Sequence, residues 1–256
     1  KTQETQMNVQ QVKQAAPRFD TTYHQRLNLQ AWGRDNLYPQ HLSRIAAASG
    51  TAELCLSRYC KFVEGNGFMD GLAGKVLNEQ GDTADDLLKL IAQDVARYAG
   101  FAIHINYNLL CEVTEIQHIP FEICRLEECD DAGHVQHIIT HADWIGRKTR
   151  NGQRVAVDEQ HVERFNVFNP NPDAVRDQIM MAGGIDRYNG QILWCSMAGK
   201  NIYPTPIYDA VISDMSTEEG LGNIKNRNAR NNFLVSAMLV TKKGVPKFDE
   251  NGNDIS

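Results

Sequence analysis

No stretch of this 256-residue chain approaches the ~20 consecutive apolar residues that cross a bilayer. The polar opening run, KTQETQMNVQQVKQ, also lacks the apolar centre of a signal peptide, so no membrane partner is expected. A strong excess of charge is missing too, the formal net charge being −6. A compact reader of duplex DNA is usually basic overall, so this balance argues against one; a protein that lets DNA slide past without gripping it tolerates the balance, as do most enzymes. The six cysteines, Cys55, Cys60, Cys111, Cys124, Cys129 and Cys195, form no C-x-x-C. Their two C-x4-C pairs lack the tight knuckle of zinc sites and read as reduced, partly buried thiols. No G-x-S-x-G elbow, P-loop or G-x-G-x-x-G occurs, and EGNGF has two glycines without the helix start that cradles a phosphate. Internal repeats and low-complexity runs are absent. No catalytic residue, metal or cofactor is expected.

What is present is ordinary for a globular protein: 42% hydrophobic and 23% charged residues, enough chain for one large domain or two small ones. The missing initiator Met and the polar ending GVPKFDENGNDIS read as trimmed ends or tails. Residues 1–30 read as a polar arm. Pro39 starts a helix with Leu42, Ile45 and Ala46 at helical spacing. Gly50 breaks it, and Thr51 caps a second helix whose apolar set is Leu54, Cys55, Tyr59 and Phe62. Gly65-Asn66-Gly67 is a turn. Residues 82–99 give the clearest helix, capped by Thr83, with Asp85 and Asp86 in the first turn, a stripe of Leu87, Leu88, Ile91, Val95 and Tyr98, and Gly100 as its end.

A small antiparallel sheet is expected across residues 101–169: FAIHINYN with Phe101, Ile103, Ile105 and Tyr107 on one face, then EVTEIQHI, FEICRLEE, HVQHIITHADW, QRVAVD and ERFNVFN, with Asn108–Cys111, Asp130–Gly133 and Asn151-Gly152 as turns. A helix (DAVRDQIMMAGG) and a strand (QILWCSM) follow. Ile207, Ala210, Val211, Asp214 and Met215 fit a further helix. Ser216 or Thr217 with Glu219 restarts it, Ile224 carries it into a basic, Asn-rich turn, and FLVSAMLVT is strand-like.

Each chemical motif has a structural reading. His134 and His137 of the H-x2-H-x3-H run that ends at His141 point to opposite faces of a strand, which disfavours a shared metal. His104 and His118 read as cross-strand neighbours. Asp130 and Asp131 suit a turn, and Asp85-Asp86 and Glu218-Glu219 suit helix N-termini. Lys225, Arg227 and Arg230 lie among Asn223, Asn226, Asn228, Asn231 and Asn232, residue types that touch phosphates and sugars. They read either as a solvated helix face or subunit contact, or as a contact with passing DNA.

Three segments resemble the portal proteins of tailed bacteriophages, in particular those of phages infecting gut Bacteroidetes. In WGRDNLYPQHLSRIAAASGTAELCLSRYCKFVEGNGF, Asn36, Tyr38 and Pro39 open two helices that end at Gly67 and Phe68. In DVARYAGFAIHINYNLLCEVTEIQHIPFEICRLEECDDAGHV, a helix, Gly100 and two strands lead through Tyr107 to His118-Ile119-Pro120 and Arg125. In NIYPTPIYDAVISDMSTEEGLGNIKNRNARNNFLVSAMLV, Tyr203 and Pro204 lead into a long helix with Asp214 and a terminal Asn-Asn-Phe. The segments cover roughly half of the chain, in the family's order. Portal proteins are usually longer, so a fragment is implied.

The resemblance implies an α+β fold, helices packed on a small antiparallel sheet as in a portal wing, followed by a long stem-like helix. It implies a wing-like domain over residues 31–200, stem and the start of a clip-like strand over 201–240, and a truncated polar tail over 241–256. It implies a structural subunit of a virion, assembled in the host cytoplasm. Copies would form a ring, usually a dodecamer, at one capsid vertex, passing double-stranded DNA. Its partners would be terminase, capsid and head-completion proteins. The competing classes are a nucleic-acid-processing enzyme of a mobile element, which needs a carboxylate triad with Mg²⁺, and another virion interaction protein.

Overall fold

The computed structural model describes residues 23–24, 26–69, 71–130, 133–146, 157, 159–197, 202–230 and 249–252. The expected strands QRVAVD and FLVSAMLVT, the Asn151-Gly152 turn, Asp131 and Asn231 lie wholly or almost wholly outside them. The chain divides into two compact units, Lys1–Ser216 and Thr217–Ser256.

The fold is α+β. Its described elements are β1 (Tyr23–His24), β2 (Leu29–Gln30), α1 (Tyr38–Ala48), α2 (Gly50–Glu64), α3 (Ala84–Tyr98), β3 (Gly100–Tyr107), β4 (Val113–Ile119), β5 (Cys124–Leu126), β6 (His137–Thr140), β7 (Glu163–Val167), α4 (Pro172–Ala182), β8 (Gln191–Ser196) and α5 (Ile212–Arg230). Short 3₁₀ turns sit at Phe121–Ile123 and Ile207–Val211.

Ser49 joins α1 to α2. Its N–H closes α1 on Ile45 O and Ala46 O, and its hydroxyl accepts from Ala52 N at 3.1 Å. Ser49, not Thr51, is therefore the N-cap, and Gly50 begins α2 instead of breaking the chain. The expected apolar set of α2 is also turned outward: Leu56 is buried, whereas Leu54, Cys55, Tyr59 and Phe62 are exposed. Helix α3 begins as expected, with Thr83 and Asp86 forming a reciprocal capping box. It ends on Ala99 in the left-handed region, not on Gly100. Gly100 is already in β3, where a Cβ would stand 2.6 Å from Phe121 Cζ and 2.8 Å from Cys195 O.

The main sheet has six strands in the order β4-β3-β8-β7-β6-β5. All neighbours are antiparallel except β7 and β8, which run parallel. Parallel pairing requires a crossover, and α4 supplies it. The late strand β8 thereby inserts between β3 and β7, so the sheet extends past the contiguous block read from local patterns. FEICRLEE splits into a 3₁₀ turn and the short β5. Residues 26–30, read as the end of a polar arm, bring Leu27 and Leu29 into the core, where they cluster with Leu37, Ile139 and Trp144.

The larger core gathers Trp32, Leu42, Tyr98, Phe121, Ile138, Phe165, Ile192 and Tyr203 from widely separated segments. Helix α5 runs without a restart at Ser216 or Thr217, so Glu218-Glu219 lie inside it and not at an N-terminus, and the basic segment is helical through Arg230 instead of a turn. In the second unit, the described helical residues 217–230 are all exposed, and residues 249–252 hold a turn closed by Gly252 N to Asp249 O.

Candidate functional site

Arg125 of β5 is the centre toward which the three resembling segments converge. It is fully buried, yet no carboxylate among the described residues pairs with its guanidinium. Instead Nε donates to Asn36 Oδ1 at 2.6 Å, and Nη2 donates to Asn36 O at 2.7 Å and Gln40 Oε1 at 3.2 Å. Nη1 donates to Glu122 O at 2.8 Å and Cys124 O at 2.7 Å. The indoles of Trp32 and Trp144 lie 5.6 and 5.0 Å from Cζ, within cation–π reach. Burial lowers the guanidinium to about 10, which leaves it charged at neutral pH. Arginine suits this position because its planar fork reaches five acceptors at once.

Asn36 does two jobs. Its Oδ1 also accepts from Trp32 N at 3.0 Å, so one side chain sets both the turn before α1 and the guanidinium. Pro39 is buried at the start of α1, and Tyr38 donates its hydroxyl to Asp209, in the 3₁₀ turn that follows Tyr203 and Pro204. Tyr203 stacks on Trp32 (centroids 4.6 Å, planes at 10°). Its hydroxyl donates to Gln30 O at 2.6 Å and accepts from Leu126 N at 2.8 Å, and burial pushes that hydroxyl well above its ordinary pKa.

His118 of β4 meets Asp94 of α3 at 2.7 Å, and Phe121 N donates to the same carboxylate oxygen at 3.1 Å. Pro120 lies between these two contacts. Phe121 then stacks on Trp194 at 4.1 Å and stands edge-on to Trp32 at 5.3 Å. Burial raises the Asp94 carboxyl, against the lowering effect of the His118 hydrogen bond.

The remaining singled-out residues lie apart from this cluster. Gly67 and Phe68 close α2 onto α3: Phe68 N donates to Asp85 Oδ1 at 2.9 Å, and a Cβ on Gly67 would meet the same carboxylate. Asp214 is exposed in the first turn of α5, while the acid that contacts the cluster is Asp209. Lys225, Arg227 and Arg230 are exposed along α5. His104 and His118 are not cross-strand neighbours: the register sets His104 opposite Gln117 and His118 opposite Ile103, which puts them on opposite faces. His137 contacts Glu127 at 2.6 Å and His134 lies 3.9 Å from Asp130, so the two serve separate carboxylates. Among the described residues, no group of three or more His, Cys, Asp or Glu is placed to hold a metal ion.

No family model matches the chain, and no curated protein matches it. Solved structures do. One is described as the neck of an empty gene transfer agent particle computed with C6 symmetry; the match covers 84% of this chain and 51% of that one, at 9% identity and a TM-score of 0.46. Another is described as the virion of a native gene transfer agent particle, covering 83% and 60% at 10% identity and a TM-score of 0.36. The chain thus spans about half the length of the first of these.

Sequence reading singled out Arg125, Tyr203, Tyr38 and His118 but passed over Asp94, Asp209, Gln40, Trp144 and Trp194, which hold them. Three widely spaced tryptophans were the available signal, since an indole that is buried needs specific company. The Arg125 guanidinium and the Tyr203 hydroxyl find their partners inside the protein. Chemically the cluster is a clasp that fixes Trp32–Gln40, α3, β4–β5 and the chain before α5 as one piece.

Proposed function

We propose that this chain is the body of a tailed-phage portal subunit, one of the copies that ring a capsid vertex through which double-stranded DNA is packaged and ejected. The convergence of three separated segments on Arg125 and Trp32 carries the reading. Residues that resemble the portal family in sequence, but lie as much as 167 positions apart between Asn36 and Tyr203, support one another physically. A subunit under the load of a packaging motor needs such a rigid body, and a clasp buried within the fold suits a mechanical role.

On this reading the action is mechanical and no residue acts as a catalyst. The described residues of 31–200 belong to the wing-like body, and the helix Ile212–Arg230 belongs to the stem. Head-to-tail contacts close the ring. Lys225, Arg227 and Arg230 face the DNA channel or a neighbouring copy. Terminase docks on the ring during packaging, and head-completion proteins follow.

Electron microscopy of the purified protein, carrying whatever residues the native gene places after Ser256, tests this. Closed rings of one dominant rotational symmetry are expected. Monomers or small open oligomers at all concentrations overturn the portal reading. Divalent-dependent cleavage of DNA, abolished by a carboxylate substitution in this chain, favours a nucleic-acid-processing enzyme instead.

A further inference from the structure

Two features of the first unit are left unexplained by its own packing. The first is the tip of the β3–β4 hairpin. Leu109 and Leu110 are 75% and 76% exposed there. The tip is nonetheless rigidly built: Asn108 Oδ1 accepts from Leu110 N and Glu112 N, both at 2.9 Å, and Asn108 Nδ2 donates to Glu112 Oε2 at 3.0 Å. The backbone that carries two large apolar side chains, and the adjacent carboxylate, are thus fixed, so less backbone is left to order on binding.

The second is a cleft of about 410 Å³ between α2 and α3, within the roughly 300–1,000 Å³ range of ligand pockets. Leu56, Cys60 and Ala96 supply its apolar lining, and Lys61, Lys89 and Arg97 its cations. Glu53 and Glu64 also line it, leaving three cations against two carboxylates. Lys89 is paired with Asp86 and Arg97 with Glu53; Lys61 has no ion pair with any described residue. Glu53 Oε2 is shielded from solvent without a donor among the described residues. Beside the cleft, the outward face of α2 leaves Leu54 61% and Phe62 82% exposed.

The two features are complementary: an apolar tip with an acid against a partly apolar cleft with a lysine that has no ion pair among the described residues. We infer that the β3–β4 tip of one copy seats in the α2–α3 cleft of the next, with Leu109 and Leu110 on the apolar lining and Glu112 on Lys61. The two surfaces differ, so the contact is heterologous, and repeated it generates a ring or an open helix. The inference rests on the ring reading and names the surfaces that make the ring.

The native thiols give a direct test. Cys60 lines the cleft and Cys111 lies in the tip, both free and half-buried. A short bis-maleimide added to a mixture of ¹⁴N- and ¹⁵N-labelled protein is expected to yield Cys60–Cys111 cross-links joining light to heavy copies. Sedimentation then measures association. Leu109→Ser with Leu110→Ser is expected to weaken it at least about tenfold, since two buried leucines are lost. Lys61→Glu or Glu112→Lys alone weakens it roughly three- to fivefold, and the two together restore it. Association unchanged by these substitutions, with no mixed cross-link, overturns this contact and leaves the ring reading standing. A protein that stays monomeric throughout overturns both.

Discussion

A buried cation without a carboxylate is unusual, because charge removed from water normally demands a counter-charge. Arg125 meets the demand with five neutral acceptors and two indole faces. Removing the donors leaves Asn36 O, Glu122 O and Cys124 O in the interior with fewer partners, so Arg125→Met is expected to destabilise the protein by about 3–5 kcal/mol in urea unfolding. Arg125→Lys should rescue little, since a lysine is a compact point charge that cannot span the fork. Full stability in the lysine variant would show that charge alone, not the fork, holds the clasp. Asp94 makes the parallel case: Asp94→Ala strands the Phe121 N–H and the His118 ring at once and is expected to cost about 2–3 kcal/mol. Neither cost was visible in sequence, where Asp94 sits on a helix otherwise read by its apolar stripe.

Elements differ in how far local pattern determines them. Helix α3 was legible because its cap, first-turn acids and apolar spacing agree with one another. Its cap also carries a pH dependence. Asp86 is held down at about 2, chiefly by the Thr83 hydroxyl and then by Lys89, against about 3.9 for a free aspartate. A carboxyl depressed in the folded state stabilises it above the unfolded value, and that contribution disappears as pH falls through the folded one. The gap in thermal midpoint between the native protein and Asp86→Asn is therefore expected to be full above about pH 5 and closed by about pH 1; a gap constant over that range removes the cap from the account. Helix α2 was read with the wrong face inward because Leu54, Tyr59 and Phe62 have the spacing of a buried stripe. They are instead exposed, and Leu56 is the residue of α2 that turns inward. Strand β8 was legible as a strand but not in its place, since the β7–β8 pairing runs through the crossover of α4 and has no local signature. Gly100 shows the same limit. Its role is a close approach to Phe121 and Cys195, residues 21 and 95 positions away, and Gly100→Ala is expected to cost about 1–3 kcal/mol through overpacking.

At the scale of the whole molecule, the residues that resemble one family divide: Asn36, Tyr38, Arg125 and Tyr203 meet in one cluster, whereas Gly67, Phe68 and Asp214 lie apart from it. On the portal reading, the acidic balance and the exposed cations of α5 pull in opposite directions. A portal ring that gripped the duplex strongly would stall it, so on that reading a net charge of −6 with a few local cations suits transient contact better than binding. Because Lys225, Arg227 and Arg230 are exposed, replacing all three by Gln is expected to leave the unfolding midpoint within about 0.5 kcal/mol of native. If they touch the duplex, the dependence of log K on log salt for the assembled protein with linear DNA flattens by up to about 2.7, roughly 0.9 for each lost phosphate contact. An unchanged slope with weakened self-association would assign the three cations to a neighbouring copy. An unchanged slope with unchanged association would leave them a solvated face, and the charge of the channel would have to come from elsewhere in the ring.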